Sequence, residues 1–183
     1  MTEIKHHGSL SPEFALLGFL YERPSHGYDL HQQLVTELGF VWHISQSQTY
    51  NILNRLETRG DISSNVLEQE KLPPRQVLQI TSKGRDRFDA WLEMPTGSSV
   101  RAIRLEFITR LYFVQRIAPE KIQPLLDSQS DEIFASINSL ELIHARLPGD
   151  QTFNRLSLQL RIRQLKSVLD WLGECRKAFL YIL

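Results

Sequence analysis

At 183 residues, with 42% apolar and 23% charged side chains, the chain is long enough for one ordinary domain or two small ones, and its composition is globular rather than disordered. The 21 Lys and Arg balance 21 Asp and Glu, which counts against a nucleic-acid binder that relies on bulk charge. The single cysteine, Cys175, excludes an internal disulfide and a cysteine-rich zinc site. No apolar run approaches the ~20 residues of a membrane span, and the polar start from Met1 to Ser11 lacks the apolar stretch of a secretion signal, so a cytoplasmic protein is expected.

In chain order, Ser11 is placed to cap a first helix, with Pro12 and Glu13 suited to its first turn and Phe14, Leu17 and Leu20 or Tyr21 on one face. Pro24 stops it. Ser25 is expected to cap a second helix carrying Leu30, Leu34 and Leu38, ended by Gly39 in the left-handed conformation. Ser45 and Gln48 have capping-box spacing and open a third helix, which buries Ile52, Leu53 and Leu56 and ends at Gly60. The period then changes. Residues 62–67 and 75–81 read as two strands, with the polar, proline-ended stretch 68–74 as the long tip of their hairpin. Thr81 or Ser82 caps a fourth helix carrying Phe88, Trp91 and Leu92. Residues 94–99 read as a linker, dividing the chain into domains 1–95 and 100–183.

Beyond the linker the pattern is helical throughout. Ile103, Phe107, Leu111 and Val114 mark one helix, stopped near Pro119. Ile122, Leu126, Ile133, Ile137 and Leu140 mark the next, ending near Pro148 and Gly149. Asp150 is expected to cap the last, where Leu158, Ile162, Leu165, Leu169 and Leu172 alternate by four and three. That heptad seam, with the apolar end Phe179, Leu180, Tyr181, Ile182 and Leu183, predicts a homodimer interface. The expected fold is mainly α with a small β-hairpin: an N-terminal winged helix-turn-helix and a C-terminal helical dimerisation domain.

Three compact helices followed directly by a hairpin point to double-stranded DNA as a partner, because the third helix keeps a polar face free for the major groove. Gln46, Ser47, Gln48, Tyr50, Asn51, Asn54 and Arg55 surround its buried residues, and Lys71 and Arg75 stand on the hairpin. An amide-rich helix face is by itself ordinary solvated surface. Between Arg55 and Arg87, seven Lys and Arg face five Asp and Glu, so the case rests on the order of the elements and not on charge.

The stretch Leu10 to Leu20, followed by Pro24-Ser25-His26-Gly27-Tyr28-Asp29-Leu30, resembles the opening of the PadR family of regulators. Trp42, Ile44-Ser45, and Tyr50 before Asn54-Arg55-Leu56-Glu57 and Gly60 are similar to that family's recognition-helix segment. Pro73-Pro74-Arg75 and Ile80-Thr81-Ser82-Lys83-Gly84 look like its wing and exit. Arg104-Leu105-Glu106-Phe107, Arg110-Leu111-Tyr112-Phe113 and Asp170-Trp171-Leu172 resemble a virulence-activator-type C-terminal domain. The resemblance implies a homodimer that usually represses transcription from inverted-repeat operators and, in some members, is released by a small-molecule effector. It adds Ser25, His26 and Tyr28 to the expected DNA-binding residues. The wing departs from the family: Gln76-Val77-Leu78 stands where an aromatic is common, and one arginine follows the prolines.

His6, His7, His26, His31 and His43 lack the spacing of a metal site, Cys175 shows no accompanying base, and there is no glycine-rich phosphate loop; neither an enzyme nor a cofactor or metal is expected. Trp91, Phe107, Tyr112 and Trp171 are candidates for a ligand pocket, against the ordinary reading as core aromatics with Phe113. The rival function is a winged-helix adaptor that binds protein without specific DNA recognition. Its DNA affinity would be weak and nearly independent of salt.

Overall fold

The computed structural model describes the backbone of residues 10–69 and 72–180 and the side chains of residues 10–65 and 76–179. The chain divides into two compact units, Met1–Met94 and Pro95–Leu183.

The first unit is built around α1, Glu13–Glu22, in which every residue from Ala15 to Leu20 is buried. A helix apolar all round belongs in the middle of a core, and α1 touches α2 (Gly27–Leu38), α3 (Gln46–Thr58), α4 (Ser82–Glu93) and β3 (Leu72–Ile80). Ser11 does not cap it. Pro12 takes that position, its carbonyl accepting from Leu16 N at 3.1 Å, and Ser11 Oγ is buried without a partner among the described residues.

Ser25 is likewise not a helix cap. With His26 it forms β1, Ser25–His26, paired antiparallel with β3 so that Ser25 faces Leu78 and His26 faces Val77. The open edge of β3 offers these two residues backbone partners, and α2 starts only at Gly27. The sheet order is β1-β3-β2, with β2 at Ile62–Gln69. Gly39 is right-handed, at φ −63°. Its lack of a side chain matters for space instead, because a Cβ there would stand 2.2 Å from Val35 O. The left-handed glycine is Gly60, at φ +74°, where the chain turns from α3 into β2.

β2 and β3 pair from Ile62 opposite Ile80 to Gln69 opposite Leu72, with an irregularity between Leu67 and Gln69. The strands are therefore longer than the pattern predicts, and Pro73 and Pro74 lie inside β3. The irregular register coincides with them, since neither can donate to a ladder. α4 is capped by Thr81, whose Oγ1 accepts from Gly84 N at 3.1 Å. Gly84 packs on the start of β2 so tightly that a Cβ would meet Asp61 O at 2.0 Å.

The second unit opens with α5, Val100–Ala102, capped by Ser99, and runs through a π-helical turn at Ile103–Phe107 into α6, Ile108–Ile117. Its two long helices are α7, Ile122–Arg146, and α8, Thr152–Leu180. Asp150 lies two residues before α8, outside the cap position. The pairs Lys166–Glu141 and Arg176–Asp127, at 2.7 and 2.8 Å, set the two helices antiparallel.

This hairpin revises the reading of the heptad seam. Ile162, Leu165 and Leu172 are 9%, 1% and 0% exposed within a single chain, and Leu158 and Leu169 are half-buried. Their apolar neighbours are Leu126, Ile133, Ile137 and Leu140 on the inner face of α7. A four-three repeat specifies a long helix packed on another, whichever chain supplies it. Here the chain's own α7 does.

Arg110 is buried completely. It donates to Glu106 Oε1 at 2.8 Å and to Thr96 Oγ1, while Gln129 Nε2 donates to Thr96 O at 3.3 Å, so the segment after Met94 is anchored to α6 and α7. Burial pushes the guanidinium pKa down and Glu106 opposes the shift.

Candidate nucleic-acid interface

The placement of α3 follows from its first turn. Ser45 Oγ accepts from Gln48 N at 3.3 Å and Gln48 Oε1 accepts from Ser45 N at 2.8 Å, a complete capping box. Thr49, fully buried, donates to Ser45 O and sits 2.9 Å from His31 Nδ1, which ties α3 to α2. Ile52, Leu53 and Leu56 complete the buried face.

With 3.6 residues per turn, the face opposite Thr49, Ile52, Leu53 and Leu56 carries Ser47, Asn51, Asn54 and Thr58. All four are exposed. The side chains of Ser47, Asn51 and Asn54 make no hydrogen bond among the described residues, whereas Thr58 Oγ1 donates to Asn54 O. Arg55 flanks the stripe, exposed and without an ion pair among the described residues. Gln46 is exposed at the first turn, on the α2 side. Gln48 has a task of its own in the capping box, so its amide oxygen is not free to read a base. Tyr50 is 41% exposed because one side of its ring lies on Gly27.

Of the residues at the start of α2, His26 Nδ1 is 2.9 Å from Gln76 O of β3, Ser25 is half-buried in β1, and Tyr28 is exposed. Lys71 lies outside the described residues. So does the side chain of Arg75, whose backbone pairs with Leu67.

The other basic residues between Arg55 and Arg87 serve the fold. Arg59 and Arg87 both pair with Glu13, Arg87 also with Asp61 at 2.7 Å; Lys83 donates to Arg59 O, and Arg85 lies over the Tyr21 ring. Counting charges along the sequence could not separate these from Arg55. The signal was present in Glu13 and Asp61, acids whose partners are distant in sequence.

Each of the four candidate pocket aromatics has a ring partner within its own unit. Trp91 stacks on Phe14 at 4.6 Å inside the first unit, Tyr112 packs edge-on against Phe113 with Arg116 over its ring, and Phe107 is fully buried. Trp171 lines a cavity of the second unit, with Phe107 edge-on to it at 6.3 Å. The Cys175 thiol pKa is pushed up by burial and by Glu174, which disfavours the reactive thiolate. Among the described residues no helix is long and apolar enough to cross a membrane, and no group of three or more His, Cys, Asp or Glu is placed to hold a metal ion.

A capped third helix with an unbonded polar face, beside a three-stranded wing, makes the first unit a winged helix-turn-helix. Residues 16–90 match the Transcriptional regulator PadR-like family and residues 103–179 match the Virulence activator alpha C-term family. The chain therefore carries a PadR-like family domain followed by a virulence-activator-type C-terminal domain. It is 25% identical over 137 residues, 74% of each chain, to the negative transcriptional regulator PadR of Bacillus subtilis strain 168. It is also 25% identical over 186 residues, covering 90% of this chain and 95% of the other, to a probable transcriptional regulator of Mycobacterium tuberculosis. Similar solved structures include Bacillus subtilis PadR in complex with operator DNA (23% identity, 91% of this chain and 98% of that chain, TM-score 0.43). Another is the Vibrio cholerae virulence activator AphA (23% identity, 94% of this chain and 100% of that chain, TM-score 0.42).

Proposed function

We propose that the protein is a sequence-specific repressor that binds an inverted-repeat operator as a homodimer and is released by a small effector held in its C-terminal unit. The observation that carries the DNA reading is the outward stripe of α3. Asn51 and Asn54 present free amides suited to adenine edges, and Arg55 beside them suits guanine or phosphate. Ser47 completes the stripe, and Gln46, Tyr28, Ser25 and His26 lie on its α2 flank, where they meet backbone. Lys71 and Arg75 of the wing add phosphate contacts, so removing either lowers the salt slope of binding by about one unit.

Two-fold symmetry supports this reading, because a dimer matches a palindromic site with two recognition helices about 34–36 Å apart. The surface offered to the second copy is not the Leu158–Leu172 seam. It is the outer face of α8, where Phe153, Leu156 and Leu160 fall on one side of the helix and are each more than half exposed. Three large apolar side chains on one exposed helix face call for a partner, and a second copy supplies the symmetry that an inverted repeat demands. The experiment is sequencing of genomic fragments retained by the purified protein. Enrichment of one palindromic motif, with affinity falling steeply as salt rises, supports the proposal; fragments without a common motif contradict it.

A further inference from the structure

His26 stands in β1, immediately before α2, and its half-buried ring is bonded inward: Nδ1 lies 2.9 Å from the carbonyl oxygen of Gln76 on β3. A carbonyl oxygen only accepts, so Nδ1 carries a proton and, in the neutral ring, Nε2 carries the lone pair. Nε2 has no hydrogen-bond partner among the described residues and stays open to solvent. We propose that His26 meets DNA as the imidazolium, so that each copy takes up a proton on binding and DNA affinity falls as pH rises. The inference rests on the reading of the first unit as the DNA-binding one and names a regulation of its backbone contact.

The fold decides which nitrogen is presented. β1 pairs with β3 so that Ser25 faces Leu78 and His26 faces Val77, and this register holds the ring at Gln76 O. The two nitrogens of an imidazole point to opposite sides of the ring, so tying Nδ1 to β3 turns Nε2 away from the sheet. The next residue, Gly27, lies against Tyr50, which keeps the start of α2 beside α3. A free imidazole could exchange tautomers and offer an N–H to an anion with no net uptake of a proton. Here that exchange would leave Gln76 O facing a lone pair, so the neutral ring has no hydrogen to offer outward.

Phosphate oxygens accept and do not donate. Against neutral His26 they meet a lone pair; from the imidazolium they receive a charge-assisted bond, while Nδ1 keeps Gln76 O. The sign follows. The bound state holds more protons than the free state, so lower pH favours binding and rising pH weakens it. The charged and titratable groups around His26 are Glu22 and Arg23 ahead of β1, Tyr28 and Asp29 in the first turn of α2, Tyr50 of α3 beside Gly27, and Arg75 of β3, whose side chain lies outside the described residues; Gln76, Val77 and Leu78 carry no charge. Histidine is the side chain whose charge ordinarily changes near neutral pH. Of the other described histidines, His31 is bonded to Thr49, His43 is exposed ahead of Ser45, and His144 belongs to the second unit.

Fluorescence anisotropy of the full-length protein on random duplex DNA and on its selected genomic fragments, from about pH 6 to about pH 8 at fixed salt, tests this. Wild-type affinity should fall at least about tenfold across that range, and on both DNAs, because phosphate contacts carry no sequence. His26→Asn keeps a donor for Gln76 O, since its Nδ2 stands where the ring Nδ1 does, but it has no outer nitrogen. It should melt like the wild type, match it in affinity at the alkaline end and lose most of the slope, whereas His43→Asn should retain the slope. Nitrogen NMR of the His26 ring should show the proton on Nδ1 in the free protein at alkaline pH and protons on both nitrogens in the complex at neutral pH. A flat wild-type profile, a slope unchanged in His26→Asn, or a neutral His26 ring in the complex would overturn the inference. DNA bound with a flat profile removes this inference and leaves recognition by α3 standing. A pH slope carried by His26 without preference for any sequence does the reverse, and binding to neither DNA removes both.

Discussion

Tyr50 packs on the bare Cα of Gly27: a Cβ built there would stand 2.9 Å from Tyr50 Cε1 and 3.4 Å from Leu53 Cδ1. The glycine at the start of α2 and the tyrosine on α3 are one feature, a close approach that sets how the recognition helix leans on its neighbour. Gly27→Ala should destabilise the first unit by about 1–3 kcal/mol through overpacking and lower operator affinity. Tyr50→Ala should relieve the clash, so denaturant unfolding of the two single variants and the double variant should give non-additive losses.

Gln48 and Asn51 lie three residues apart on α3 but do different work. Gln48→Ala breaks the capping box and should cost about 1 kcal/mol of stability with little loss of discrimination between operator and random DNA. Asn51→Ala or Asn54→Ala should leave unfolding nearly unchanged and cost about 1–3 kcal/mol on the operator alone. Thermal melts paired with binding assays on both DNAs separate the roles.

Much of this was legible in the sequence. The capping box at Ser45, the buried Ile52, Leu53 and Leu56, the Thr81 cap and the two long C-terminal helices follow from local spacing, which the structure keeps. What escaped depends on distant partners. Ser25 enters a strand because β3 has an open edge 50 residues later. Gln48 is spent on the cap it helps to identify. Arg59 and Arg87 are held by Glu13, and the Leu158–Leu172 repeat could not say which chain would cover it.

Glu106 and Arg110 differ in burial: Arg110 is wholly enclosed, whereas the Glu106 side chain keeps 29% exposure. Glu106→Ala removes the carboxylate from a guanidinium that cannot reach water, and it should destabilise the second unit by about 3–5 kcal/mol. Arg110→Met leaves an acid that can still be solvated and should cost less. Urea unfolding of both variants checks the order.

Leu165 and Phe153 are apolar side chains of α8 with opposite surroundings, 1% and 86% exposed. Leu165→Glu should unfold the α7–α8 hairpin, visible as lost helical dichroism. Phe153→Glu with Leu156→Glu should preserve the dichroism and convert a dimer to a monomer by light scattering at micromolar concentration. A wild type that is monomeric there contradicts the dimer.

The central claim is that the outward face of α3 reads DNA sequence, and the most direct measurement is the operator-to-random affinity ratio of the wild type and of Asn51→Ala with Asn54→Ala, across a salt series. The wild-type ratio should be large, the double variant should lose most of it by weakening on the operator alone, and both proteins should show the same steep salt dependence on random DNA. A double variant that keeps the wild-type ratio, or a wild type that binds both DNAs equally, would contradict it.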